Sequence, residues 1–148
     1  MSSQCYRVVL DTNVIIGAGS RWLIHGVSST SKNVHCHVLI RVAEAHKGLY
    51  SGKIVGEYLE KLVDRGHPRD RVLKMMTYIM GAFDRVEIIS TSMPVRPSDP
   101  DDEVFLLCAI DGAADYLVSE DHSLTGLKAS YLKPVIGKCD ELATTFGV

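Results

Sequence analysis

The stretch Tyr6–Gly17 reads YRVVLDTNVIIG. Apolar, β-branched residues run up to Asp11, three polar side chains follow (Asp11, Thr12, Asn13), and the apolar run then resumes. Val8–Leu10 predicts a buried strand that leads into Asp11, with Val14–Ile16 closing it against the GAGS that comes next. An ionised carboxylate in such a run is costly unless it is paired or coordinated. A turn is the plain explanation, because Asp–Thr–Asn favours local hydrogen bonds between side chain and backbone. Apolar residues resume at once, however, so the acid is embedded rather than displayed on a loop. That favours a functional carboxylate, with the Asn13 amide placed to hold it.

Outward from this stretch, short apolar strands alternate with helical patterns. The Ser/Thr/Asn-rich GSRWLIHGVSSTSKNVHCH suggests an irregular connection. Val38–Gly48 has helical spacing at Val38, Leu39, Val42 and Ala45. LYSGKIVGEYLEKLVDRG reads as a short strand, Ser51 as an N-cap and a helix ending at Gly66. Pro68 opens a further helix through RDRVLKMMTYIMGAF, and RVEIIS reads as a strand. RPSDPDDEVFLLCAIDGAA is a loop and then a helix, DYLVSED a strand running into acid, and SLTGL a short turn. YLKPVIG and KCDELATTFG supply a last strand and a last helix. This alternation predicts an α/β fold with a mainly parallel sheet. Ligands of such sheets bind outside the carboxyl ends of the strands, where Asp11 and Glu120–Asp121 fall.

The bulk properties bound the function. The chain has 148 residues, 46% hydrophobic and 23% charged, which suits one folded domain over 1–148. No apolar stretch approaches the roughly 20 residues of a membrane span, and the N-terminus lacks a secretory pattern. A soluble, cytoplasmic protein is expected. The net charge of −2 argues against gripping nucleic acid by charge alone. It leaves room for a nucleic-acid enzyme whose acidic site is loaded with metal. Cys5, Cys36, Cys108 and Cys139 show no CxxC spacing and read as reduced thiols. His35–Cys36–His37 cannot all converge on one ion as sequence neighbours, and no second ligand pair answers them in the sequence, so no zinc site is expected there.

The remaining acids each carry two readings. Asp99 suits an N-cap and Pro100 the first helical position, while Asp101, Asp102 and Glu103 sit where a helix dipole favours negative charge. Capping accounts for acids here, though less well for four of them before an apolar, buried helix. Glu57 lies off the apolar face set by Ile54, Val55, Tyr58, Leu59 and Leu62, where a solvated glutamate paired with Lys61 is the plainer reading. Glu120 and Asp121 follow a buried strand, as Asp11 does, and His122 is a loop histidine that could serve as a base.

Taken together, these residues resemble the PIN-domain family of metal-dependent nucleases. VVLDTNVII is similar to the family's opening strand with its Asp-Thr-Asn. SGKIVGEYLEKL is similar to the segment in which a serine starts a helix and an acid follows six residues on, which picks out Glu57. DPDDEVFLLCAIDGAADYLVSED is similar to the family's block of acid, apolar helix and strand, aligning Asp102 and Asp121 with its third and fourth acids and Ser119 with the hydroxyl before the last. The resemblance implies a three-layer αβα sandwich and a hydrolase that cuts single-stranded RNA. Asp11, Glu57, Asp102 and Asp121 would then be the catalytic, metal-binding carboxylates. Asn13 and Ser119 would support them or contact phosphate. The nearest flavour is the toxin of toxin–antitoxin pairs, which implies an antitoxin partner and a homodimer. Asp101, Glu103 and Glu120 blur the assignment by one position, and Trp22–His37 departs from the usual connection.

Carboxylates of this kind suit Mg²⁺ or Mn²⁺, which prefer oxygen ligands. A bound ion can polarise a scissile phosphate and lower the pKa of water. Without metal the acids repel one another, so at least one should hold a proton with a raised pKa. Arg21, Lys53, Lys61, Arg65, Arg69, Arg71 and Lys74 could track an RNA backbone or be ordinary surface charge. The rival readings are a non-catalytic PIN-like module that binds RNA or protein, a phosphotransferase, and a receiver-like domain. A phosphotransferase needs a second Asp where Asn13 stands, and VEIISTSM lacks the phospho-acceptor Asp of a receiver.

Overall fold

Val8, Val9 and Leu10 are completely buried, as a strand covered on both faces by helices requires. The computed structural model describes residues 4–20 and 33–148. Its strands are β1 (Arg7–Leu10), β2 (Lys47–Tyr50), β3 (Asp84–Arg85), β4 (Tyr116–Val118) and β5 (Val135–Gly137). The helices are α1 (Thr12–Gly19), α2 (Val34–Ala45), α3 (Gly52–Asp64), α4 (Arg69–Ala82), α5 (Glu103–Asp111), α6 (His122–Thr125) and α7 (Cys139–Phe146). The sheet order is β3-β2-β1-β4-β5 and every pairing is parallel. Helix α5 packs against β1, β2 and β4, while α1 packs on α2 and α3, α2 on α7, and α3 on α4. The result is the expected three-layer α/β sandwich around an all-parallel sheet.

The strand order reverses at β1, whose neighbours are β2 on one side and β4 on the other. Crossovers leave this strand in opposite directions, so a crevice opens at the carboxyl ends of β1 and β4. Asp11 follows β1 directly, and Ser119–Glu120–Asp121 follow β4. Topology therefore brings two acid-bearing strand ends side by side.

Three expectations are corrected. Val14–Ile16 does not continue the strand but lies in α1. Asp11 caps that helix, its carboxylate accepting from the Thr12 N–H. Val14 and Ala18 are buried four residues apart with Ile15 beside them. Packing thus overrides the β propensity of a Val–Ile–Ile run. Helix α2 starts at Val34, so His35–His37 form its first turn, and Gly48 belongs to β2 instead. A Cβ on Gly48 would lie 2.5 Å from the Phe83 ring, which explains a glycine inside a strand. In RVEIIS only the start pairs with β2, because the Ile89 and Ser90 N–H groups donate to the Asp111 carboxylate rather than to a ladder (2.8 and 2.9 Å). The Ser51 cap and α3, the helix after Pro68, and the strands at 116–118 and 135–137 stand where the sequence places them. SLTGL contributes to a single helical turn capped by Asp121. Among the described residues no helix is long and apolar enough to cross a membrane.

Candidate metal centre

Asp11 is 3% exposed at the end of β1, and three donors fix it. Its Oδ1 accepts from the Thr12 backbone N–H (2.7 Å), and its Oδ2 from Ser119 Oγ (2.6 Å) and Asn13 Nδ2 (3.2 Å). Burial raises its pKa, with Asp121 adding to the rise; the bonds from Ser119, Thr12 and Asn13 pull it back. Ser119 also accepts from the Asp121 N–H (2.9 Å), and Asn13 Oδ1 accepts from the Glu120 N–H (3.2 Å). These two residues tie the end of β4 to the end of β1.

Asp102 arrives from a different direction. Asp99 caps a 3₁₀ turn, Pro100–Asp102, that feeds α5, with its carboxylate accepting from the Asp101 N–H (3.0 Å). The capping reading of these acids is therefore correct for Asp99. Asp102 is different: it is 5% exposed, and its Oδ2 is buried with no hydrogen-bond partner among the described residues. Burial, then the Asp11 charge, and further down Asp121 and Asp99 push its pKa up to about 7, against an opposing Ser123 hydroxyl. The expected proton-holding acid is thus Asp102.

Asp121 is half-buried and caps α6 by accepting from the Ser123 N–H (3.0 Å). One carboxylate oxygen from each of Asp11, Asp102 and Asp121 lies within 4.8 Å of the others. Glu57 stands outside this triad. It lines the same cleft of about 220 Å³, and its Oε1 accepts from Thr12 Oγ1 (3.2 Å). Burial raises its pKa first, with Asp11 and Asp101 adding to the rise and Thr12 and Lys61 opposing it. No close ion pair joins Glu57 to Lys61 among the described residues, so the surface reading of Glu57 gives way to a place on the cleft wall.

A buried, ionised carboxylate oxygen with no donor, set among other carboxylates, is costly unless a proton or a cation joins it. The donor set is all oxygen, which fits a hard divalent cation held by Asp11, Asp102 and Asp121. Lys61 and Arg65 line the cleft as well. A larger groove of about 470 Å³ adjoins it through Asp101 and is lined by Lys53, Arg85, Glu103 and Val104 among others. Arg71 is occupied elsewhere, donating to the Gly19 carbonyl (3.1 Å). Arg69, Lys74 and His122 are exposed and do not line the cleft. Arg21, and Trp22 to residue 32 of the segment Trp22–His37, lie outside the described residues.

Sequence reasoning missed the Thr12 hydroxyl, whose contact with Glu57 becomes readable only once residue 12 begins a helix. It also missed Tyr58, which is fully buried with its hydroxyl donating to the Leu10 carbonyl beneath Asp11.

Comparison with known families matches residues 7–123 to the PIN domain, a fold of nuclease type. No curated protein matches the chain. The family match spans most of the 148 residues and takes in Asp11, Glu57, Asp102 and Asp121 together, so the chain belongs to the PIN-domain family.

Proposed function

We propose that the protein is a metal-dependent endoribonuclease that hydrolyses phosphodiester bonds of single-stranded RNA. Mg²⁺ or Mn²⁺ would be held by Asp11, Asp102 and Asp121, with Glu57 extending the oxygen set from the cleft wall. The observation that carries this reading is the unpartnered, buried Oδ2 of Asp102, a residue whose carboxylate lies within 4.8 Å of two others. Such an ion, when bound, supplies charge neutralisation at a phosphate and activation of water.

The chain's own residues do the positioning. Ser119 and Asn13 hold Asp11 against the end of β4, so two of the three carboxylates share one rigid support. Burial of Asp11 and Asp102 limits screening of their charges by bulk water. Lys61 and Arg65 in the cleft, with Lys53 and Arg85 in the adjoining groove, offer cations to phosphates on either side of the scissile bond. The groove and the cleft meet at Asp101, so an extended single strand could lie across both.

The resemblance to the toxin group of the family extends this proposal to a cytoplasmic toxin with an antitoxin partner and a self-association surface. Its support is that helices α3 and α4, which pack on each other, expose Leu59, Val63, Leu73 and Met80.

The test is cleavage of a labelled single-stranded RNA by wild type, Asp11→Asn and Asp102→Asn, with Mg²⁺, Mn²⁺ or chelator. Metal-dependent cutting that disappears in both folded variants is expected. A folded wild type that binds metal and RNA without cutting overturns the enzymatic reading in favour of a binding module.

A further inference from the structure

A second group of metal-capable side chains meets where α2, the end of β4 and α7 converge. His35 Nε2 and Glu120 Oε1 are 3.2 Å apart, and the Cys139 backbone N–H donates to the same Glu120 oxygen (3.1 Å). One ligand atom from each residue, an imidazole nitrogen, a carboxylate oxygen and the Cys139 Sγ, lies within 4.8 Å of the others. The His35–Glu120 contact needs no sulfur to satisfy it, yet the completely buried Cys139 thiol lies beside it.

The supports are specific. Asn33 caps α2 by accepting from the Cys36 N–H (3.1 Å) and donates to the Gly17 carbonyl (2.7 Å), which pins the first turn of α2 against α1. A Cβ on Gly17 would come within 2.7 Å of the His35 ring, so glycine there leaves room for the imidazole. Glu120 is held by its N–H on Asn13, whose amide in turn donates to Asp11. The group is therefore built into the fold and stands two hydrogen bonds from the acid centre, while sharing no ligand with the Asp11, Asp102 and Asp121 triad.

We propose that His35, Glu120 and Cys139 form a second metal site that takes Zn²⁺ rather than Mg²⁺ or Mn²⁺. Nitrogen, oxygen and sulfur in one cluster is a zinc donor set, and thiolate is a ligand that hard cations disfavour. Zinc–ligand bonds of about 2.0–2.3 Å put neighbouring tetrahedral ligand atoms about 3.5 Å apart, close to the His35–Glu120 separation already present. As the zinc–sulfur bond forms, the Cys139 thiol proton leaves to solvent. His35 and Glu120 are 29% and 30% exposed, which gives the ion an entry path and leaves a fourth position for water. Cys36 and His37, their neighbours in sequence, take no part; the partners of His35 come from positions 120 and 139.

The experiment is titration of the apo protein with Zn²⁺ alone against a chromophoric chelator, in excess Mg²⁺, together with Co²⁺ substitution read in the near ultraviolet. Wild type should bind one Zn²⁺ and give a thiolate-to-Co²⁺ charge-transfer band. Cys139→Ser should abolish the band, and both Cys139→Ser and His35→Gln should weaken Zn²⁺ at least about 100-fold, the upper range for supporting residues being a floor for direct ligands. Asp102→Asn should keep the site. Zinc binding that survives the first two variants, a missing band, or loss confined to Asp102→Asn overturns the proposal and leaves a hydrogen-bonded His35–Glu120 pair beside an inert thiol. Should Cys139→Ser fail to fold, the half-exposed His35→Gln and the wild-type Co²⁺ band decide the question.

Discussion

Asp11 and Asp102 are neighbours, both nearly closed to solvent, and yet their carboxylates are opposites in physical terms. Asp11 has three donors, each contributing to helix capping or to the joint between β1 and β4. Asp102 has a buried oxygen with none, and its pKa is pushed up to about 7. One acid is satisfied by the protein and serves the fold as well as the site. The other keeps one oxygen that no described residue satisfies.

The largest effect expected is on activity, where this difference should vanish. Asp11→Asn and Asp102→Asn should each reduce cleavage by at least about 100-fold, since even residues that only orient metal ligands are worth 10–100-fold. On stability without metal the two should separate in sign. Asp102→Asn removes a repelling charge and gives Asp11 or Asp121 an amide donor, so its melting temperature above pH 7 should rise. Asp11→Asn turns an acceptor toward the Ser119 and Asn13 donors into an amide and should destabilise by about 1–3 kcal/mol. Thermal melts in chelator check both; equal shifts of the same sign would break the contrast.

The pH dependence sharpens it further. The folded-state pKa of Asp102 lies above its ordinary value of 3.8, so the native protein binds this proton more tightly than the unfolded chain. Stability without metal should therefore fall as pH rises from about 4 to about 7, by a few kcal/mol in all, and level off above. Saturating Mg²⁺ should offset the loss at pH 8, and Asp102→Asn should flatten the slope. A chelator-treated wild type whose stability rises across that window would refute the assignment.

Supporting residues come next in size. Ser119→Ala leaves Asp11 Oδ2 short of one donor and the Asp121 N–H without its acceptor. Metal affinity should drop about 10–100-fold, while stability falls by only about 1 kcal/mol. Isothermal titration with Mn²⁺ beside a thermal melt separates the two. A stability loss with unchanged affinity would make Ser119 a structural joint alone.

How much of this was readable in the sequence depends on whether a residue answers to local or to distant partners. Ser51 and Asp99 are caps whose cue lies within three residues, and both helices start where those cues place them. The parallel sheet follows from strand–helix alternation. Val14–Ile16 was misread because β-branched composition spoke for a strand, whereas the deciding contacts of α1 come from α2 and α3. RVEIIS was overextended because Asp111, more than twenty residues on, takes its N–H groups. For the site, the resemblance to the PIN-domain family pointed to Asp11, Asp102 and Asp121, but nothing local distinguished a capping acid from an orphaned one. The His35 cluster lay beyond reach for the same reason, its partners being 85 residues away and more.

The smallest effect concerns Glu57, which the family resemblance groups with the other acids and the fold holds at one remove. Thr12 Oγ1 donates to Glu57 and lowers a pKa that burial raises. Thr12→Val keeps the N–H that binds Asp11 and the shape of the side chain, but it removes this donor. Glu57 should then hold its proton to higher pH. If the cleft uses an ionised Glu57, as proposed, activity should fall by a few-fold on the acid side of the pH–rate profile and recover on the basic side. Glu57→Gln should cost activity at every pH, by less than Asp102→Asn does. A Thr12→Val profile lowered equally at all pH values would mean that Thr12 acts through the start of α1 and not through Glu57. A Glu57→Gln loss as deep as that of Asp102→Asn would place Glu57 on the ion itself, and the triad would then be a tetrad once metal is bound.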